Sequence, residues 1–170
     1  MTSILKVSEI QDPTNSNTAL TIDANGYVSG KTISPAFVCR QSADTTLTNN
    51  THTSLPWTEE LDTHNAVSNG VFTVPAGQGG IYQFSMGVTV NAIGANTVFV
   101  TTLFINGSAD NQHEVYHPTM ITNQAVRSVN VANLSAGDTV EFKVSQFSGS
   151  NKTTGFVNNR KAFFCGFRLG

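Results

Sequence analysis

The chain has 170 residues, enough for one domain that buries about 70% of the surface its unfolded form exposes. Only 12% of the residues are Asp, Glu, Lys or Arg, about half the usual share of a soluble domain, so Thr, Asn and Ser must supply the polar surface. A net charge of −2 with no run of Lys or Arg excludes a phosphate-seeking surface and hence nucleic acid as a partner, and no stretch reaches the ~20 apolar residues of a membrane-spanning helix.

Met1 to Gln11 carries one Lys and no apolar h-region, so no leader is expected and synthesis is expected in the cytoplasm. Residues 1–30 read as a short arm. Ile4-Leu5-Lys6-Val7 comes first, Ala19-Leu20-Thr21-Ile22 follows a Pro/Asn/Ser turn, and Asn25-Gly26 precedes Tyr27-Val28. Asn-Gly between strand-like runs signals a hairpin, because a type I′ turn needs positive φ. Two or three short strands cannot bury a core alone. The arm is therefore expected to pair with copies of itself or to dock on another protein.

Residues 36–170 carry the period-2 pattern of half-buried antiparallel strands. Tyr82, Phe84, Met86, Val88 and Val90 share one face, with Gln83, Ser85, Gly87 and Thr89 on the other. Thr97 to Ile105 is apolar on both faces and ends at Asn106-Gly107, a turn signal. Residues 107–125 read as loops. Val140, Phe142 and Val144 alternate with Glu141, Lys143 and Ser145. The last run sets Phe163, Cys165, Phe167 and Leu169 against Ala162, Phe164, Gly166 and Arg168. Turns recur at Ser68-Asn69-Gly70, Pro75-Ala76-Gly77, Gly79-Gly80, Ser135 to Asp138 and Gly149, and no window holds a helical apolar period. The fold class expected is all-β: an antiparallel sandwich or jelly roll preceded by a hairpin-like arm. Phe72, Tyr82, Phe84, Phe142, Phe163 and Phe167 are its expected large core side chains.

Reactive constellations are sparse. Cys39 and Cys165 lack the paired spacing of a zinc site. Cytoplasmic synthesis favours buried free thiols, with a disulfide as the alternative. His113 and His117 have the spacing of two ligands on a helix, but the segment has no helical pattern, so exposed loop histidines are expected. Asp62 and His64 have no serine in a nucleophile-elbow setting. Glu59 and Glu60 are adjacent, so on a strand they face opposite ways and do not pair as acid and base. Trp57, the one tryptophan, reads as a cap of the sandwich beside Leu55 and Leu61, with sugar stacking as the alternative. The glycosylation tripeptides at Asn49, Asn106, Asn133 and Asn151 are chance in so Asn- and Thr-rich a chain. No phosphate-cradling motif is present, and neither cofactor, metal nor enzyme activity is expected.

The stretches Gly70-Val71-Phe72-Thr73-Val74-Pro75 and Gly80-Ile81-Tyr82-Gln83-Phe84-Ser85 resemble the core signature of the complement globular-head and tumour-necrosis-factor-like jelly roll. Leu103 to Gly107, Leu134 to Val140 and Phe163 to Phe167 follow in the family's order. The resemblance covers residues 36–170 and implies a bell-shaped homotrimer with one sheet of each protomer packed about a three-fold axis. It also implies that the first and last strands are neighbours, which brings Cys39 and Cys165 near each other. The chain lacks the Gly-x-y stalk of the secreted animal members.

The arm, from Ile4 to Val7 and from Asn17 to Val28, resembles the N-terminal attachment segment of structural proteins of tailed bacteriophages. Together the two resemblances imply a capsid decoration, or cement, protein: a trimer on the capsid exterior at the virion surface, bridging capsomers of the major capsid protein. Ile4, Leu5, Val7, Ile10, Leu20, Ile22 and Val28 are the expected attachment residues. The alternative is the receptor-binding head of a tail fibre or spike, acting through loops such as 107–125.

Overall fold

The computed structural model describes residues 9–11, 18–22, 28–30, 34–119, 121–155 and 162–169. The chain divides into two compact units, Met1–Ile33 and Ser34–Gly170. In the first, β1 (Glu9–Gln11), β2 (Thr18–Ile22) and β3 (Val28–Gly30) form an antiparallel sheet in that order. Ile10 is opposite Leu20, and Ile22 is opposite Val28. Of the expected attachment residues, Ile4, Leu5 and Val7 lie outside the described residues.

The second unit is a two-sheet antiparallel sandwich, with no helix among its described residues. In chain order its strands are β4 (Ala36–Gln41), β5 (Thr46–Leu47), β6 (Thr53–Ser54), β7 (Trp57–Asp62), β8 (Val67–Ser68), β9 (Val71–Thr73) and β10 (Gly80–Ile93). There follow β11 (Thr97–Ile105), β12 (Ser108–His117), β13 (Ile121–Leu134), β14 (Thr139–Phe147), β15 (Lys152–Thr154) and β16 (Phe163–Arg168). The long strand β10 organises the first sheet. β13 pairs along one of its edges, and the other carries β16, β4 and β7 at one end and β15 and β5 at the other. The second sheet runs β12-β11-β14-β9-β8, with β6 also on β14. The β11–β12 hairpin thus interrupts the β10–β13 pairing in sequence and crosses to the opposite sheet, a jelly-roll connection.

Turn chemistry fixes two of the registers. Ser68 is opposite Val71 and Ile105 opposite Ser108, leaving Asn69-Gly70 and Asn106-Gly107 as two-residue turns. All four of these residues have positive φ, from 50° to 77°, which is the type I′ geometry. Gly70 has a second duty, because a Cβ there would fall 2.0 Å from Cδ1 of Trp57. The segment 107–125, expected as loops, is instead strand for most of its length. Its polarity hid it: β12 is an edge strand on which every residue from Ser108 to Glu114 is exposed, so no apolar period marks it.

The core is an aromatic layer shared by both sheets. Phe37 stacks on Phe72 at 4.8 Å between centroids and meets Phe164 edge-on at 4.9 Å. Tyr82 and Phe84 stack at 6.0 Å. Trp57 tilts against Phe142 and Phe164 at 5.9 and 6.2 Å, so its ring is spent on packing. Phe72, Tyr82, Phe84 and Phe142 are buried. Phe163 and Phe167 are not core residues: Phe164 holds that place, and Phe167 is 42% exposed. Both faces of β16 are apolar in sequence, so alternation alone does not tell which one turns inward. The choice follows from Gly166, which lies opposite both Phe84 and Phe37. A Cβ on Gly166 would come within 2.6–2.8 Å of those two rings. The missing side chain is what lets them approach across β16.

Gly166→Ala is therefore expected to destabilise the head by about 1–3 kcal/mol, as overpacking does, and Phe84→Ala by about 3–5 kcal/mol. Urea unfolding checks both as lowered midpoints at an unchanged slope. An unshifted midpoint for Gly166→Ala would contradict the packing role given to this glycine.

Candidate assembly face

Turning Phe164, Gly166, Cys39 and Phe37 inward turns their neighbours outward. The result is a sheet face whose cross-strand rows follow from the pairing register. One row is Val38, Cys165, Ser85 and Val129, with Leu61 beside Val38. The next is Ala36, Phe167, Gln83 and Val131. Beyond it stand Ile81 and Asn133, and the backbone N–H of Leu169 donates to the Ile81 carbonyl. Val129, Val131, Ile81, Leu61, Phe167 and Leu169 are between 41% and 64% exposed. Antiparallel sheets that face water on one side put polar side chains there; this one carries an apolar band from edge strand β7 to edge strand β13. Scattered exposed Val or Leu residues are ordinary, but a contiguous band of them marks an interaction surface.

The next row out bounds the band with charge. Arg40, Phe163, Gly87 and Arg127 lie in line across β4, β16, β10 and β13. Gly87 lets the Phe163 ring and the Arg127 stem settle on the sheet, since a Cβ would meet them at 2.5 and 3.2 Å. The Arg40 guanidinium lies 5.8 Å from the Phe163 centroid and also bonds Glu60 at 3.0 Å. Glu60 is the extra residue of a bulge in β7, where Val38 pairs with Leu61 and Cys39 with Glu59. That bulge turns Leu61 onto the band rather than toward Trp57, correcting its expected place in the cap.

The cysteines fall on opposite sides of this sheet. β4 and β16 are neighbours, yet Cys39 faces Phe164 and Cys165 faces Val38. One residue of stagger puts Cys39 in the core and Cys165 on the band, and both are free thiols. Burial pushes the Cys39 thiol from 9.0 up to about 12, helped by the nearby carboxylates of Glu59 and Asp62. Burial also raises Cys165, opposed by its hydrogen bond to the Ser85 carbonyl and by Arg40.

The other sequence candidates do not converge. His113 and His117 are both on β12, four residues and so about 13 Å apart along the strand. His113 is exposed and His117 is buried, which corrects the expectation of two exposed loop histidines. No group of three or more His, Cys, Asp or Glu among the described residues is placed to hold a metal. The Asp62 carboxylate accepts the backbone N–H groups of His64 and Val67, a turn cap. Val129, Val131 and Ile81 were not singled out from sequence as surface residues, and Leu61 was expected in the cap. Ile81 carried a signal, as an apolar residue in phase with Gln83, Ser85 and Gly87 on the polar face of its strand.

The sequence matches no protein-family model and no curated protein. Solved structures do resemble the fold. The globular domain of zebrafish complement 1qA protein superposes with a TM-score of 0.54 at 16% identity, over 80% of this chain and 98% of that one. Murine APRIL, in a crystal at pH 5.0, gives a TM-score of 0.59 at 15% identity, over 81% of this chain and all of that one. The head is a jelly roll of the complement globular-head and tumour-necrosis-factor-like kind.

The thiols provide a check on which face is which. Alkylation at pH 8 is expected to modify Cys165 before Cys39, and both at once in denaturant, read by mass spectrometry. Because the folded value of Cys39 lies above its unfolded value of 9.0, its contribution to stability is full below pH 9 and is lost toward pH 12. Cys39→Ala should therefore lose less stability than the parent between pH 8 and pH 10.5. A disulfide-linked mass under native conditions would overturn the face assignment.

Proposed function

We propose that this chain is a non-catalytic structural protein whose head assembles as a homotrimer through the β7-β4-β16-β10-β13 face. Its arm fastens that trimer to a larger shell. The observation that carries the reading is the apolar band itself, which stays exposed in a single copy and spans the width of the sheet. Burying it against copies of itself removes apolar surface from water at about 25 cal/mol per Å². It also accounts for a chain that does with so few charges, since interface cores are depleted in them. A closed ring of three satisfies every copy's face without leaving an open end.

The specific form of the proposal is a capsid decoration protein of a tailed bacteriophage, seated on the major capsid protein at the capsid exterior. It is supported by the division into a short three-stranded unit and a separate head, and by the arm's likeness to phage attachment segments. Ile4, Leu5, Val7, Ile10, Leu20, Ile22 and Val28 would engage the shell. The effect would be mechanical: interface added between capsomers to resist internal pressure.

Light scattering of the full chain is expected to give three times the 18.1 kDa protomer mass. Val131→Glu places a charge in the middle of the band and is expected to leave a folded monomer, since Val131 is 61% exposed and its loss costs the core nothing. A trimer unchanged by Val131→Glu and Phe167→Ser together would rule out this face. Removal of residues 1–33 is expected to keep the trimer and abolish sedimentation with capsids lacking the protein. Retained capsid binding would rule out the arm as the attachment.

A further inference from the structure

The sheet that carries the apolar band ends in two unlike edges. β7 holds three charged residues, Glu59, Glu60 and Asp62, all of them acidic. β13 holds one in fourteen residues, and it is Arg127. Asp62 is spent on the turn to Val67, and Glu60 bonds Arg40 at 3.0 Å. Arg127 is exposed and has no carboxylate partner among the described residues, although its stem is seated over Gly87. The edges differ in shape as they do in charge. The bulge at Glu60 turns Leu61 outward, where it is 49% exposed. At the opposite edge the space between β13 and β12 is a cleft of about 330 Å³, lined among others by Arg127, Val129 and His113 and by no carboxylate.

Both matches fall at the same level of the sheet. Leu61 begins the row that passes through Val38, Cys165 and Ser85 and ends at Val129. Arg40, which holds Glu60, begins the row that passes through Phe163 and Gly87 and ends at Arg127. A rotation about an axis running along the strands preserves height. Each group on one edge then meets, on the next copy, whatever ends the same row at the other edge. The knob thus meets the hollow, and the carboxylate meets the unpaired guanidinium, in two successive rows.

We propose that successive copies of the head join with unlike edges together, the β7 edge of one against the β13 edge of the next. Leu61 seats in the next copy's cleft beside Val129, and the Glu60 carboxylate bridges its own Arg40 and the next copy's Arg127. The proposal rests on the trimer reading and gives that ring a direction and a register. Contacts between unlike patches are what a three-fold ring requires, since only a two-fold axis brings a patch against itself. A guanidinium matches a carboxylate through parallel N–H donors, so Arg127 fixes the angle between copies while Leu61 supplies apolar burial. The bulge at Glu60 serves this arrangement twice. It presents Leu61, and by breaking the regular ladder of β7 it keeps the edge from adding to β13 as a further strand.

Cross-linking of the full chain tests this. Leu61→Cys and Val129→Cys are placed together in a Cys165→Ser background, which leaves only the buried Cys39 besides them, and a short bismaleimide is added. Covalent species of two and three copies are expected on a denaturing gel for the double variant, and none for either single variant. Both positions are exposed in one copy, so the core is untouched. In a second measurement Arg127→Glu should raise the dissociation constant of the trimer about tenfold or more, the scale of a close charge pair across an interface. Adding Glu60→Arg to the same chain should recover most of that loss. A trimer by light scattering whose double variant does not cross-link would overturn this pairing of edges and leave the trimer reading standing. Leu61→Cys cross-linking to itself would overturn it too, since like edges would then be meeting, and so would a charge exchange that recovers nothing. A monomer by light scattering would overturn both readings together.

Discussion

The head depends on the approach of Phe37 and Phe84 across the bare backbone of Gly166. These rings come from strands on either side of β16, and with Phe72, Phe142 and Phe164 they join both sheets into one core. Burying several such rings contributes the largest share of apolar area available to a domain this size. Most of their contacts are tilted or edge-on rather than parallel, as the ring quadrupole favours. A side chain at position 166 would separate the rings and set the whole inner face of the central sheet a fraction of an ångström off.

Fixing the inner face fixes the outer one, because strand side chains alternate. With Phe164 and Gly166 inward, Phe163, Cys165 and Phe167 have no other direction. The same logic runs through β10, where Tyr82, Phe84 and Met86 point in and Ile81 points out, and through β13, where Val126 and Leu134 point in and Val129 and Val131 point out. The apolar band is therefore not an accident of surface composition. It is the reverse side of the core register, and a one-residue slip of β16 would exchange the two.

The sequence made the turns and the strand-rich class legible, because Asn-Gly and Pro-x-Gly carry a local conformational requirement that survives without tertiary context. Both type I′ turns are of this kind. The inward face of β10 was equally plain, since Tyr82 to Val90 alternate with small and polar residues. Two features were not legible, for opposite reasons. The direction of β16 was hidden because both of its faces are apolar, and only the partners of Gly166 decide between them. The existence of β12 was hidden because both of its faces are polar, and only its pairing with β11 reveals it. The band itself needed the register, since no segment on its own shows that Leu61, Phe167 and Val131 share a surface.

The polarity of β12 also bears on how copies of the head can meet. An exposed edge strand is a template for pairing with any other strand, and β12 and β13 both end their sheets at the same side. β12 presents Asp110, Asn111, Gln112, His113 and Glu114 along that edge, charged and amide side chains that discourage strand addition. Edge-to-edge growth has no natural end, whereas packing through a face closes into a ring when the rotation between successive copies divides a full turn. One apolar face and one polar edge thus favour the proposed packing through the face over strand addition at the edge. The surface most prone to unspecific contact is the one that the proposed trimer would cover, which would offset the scarcity of charge elsewhere.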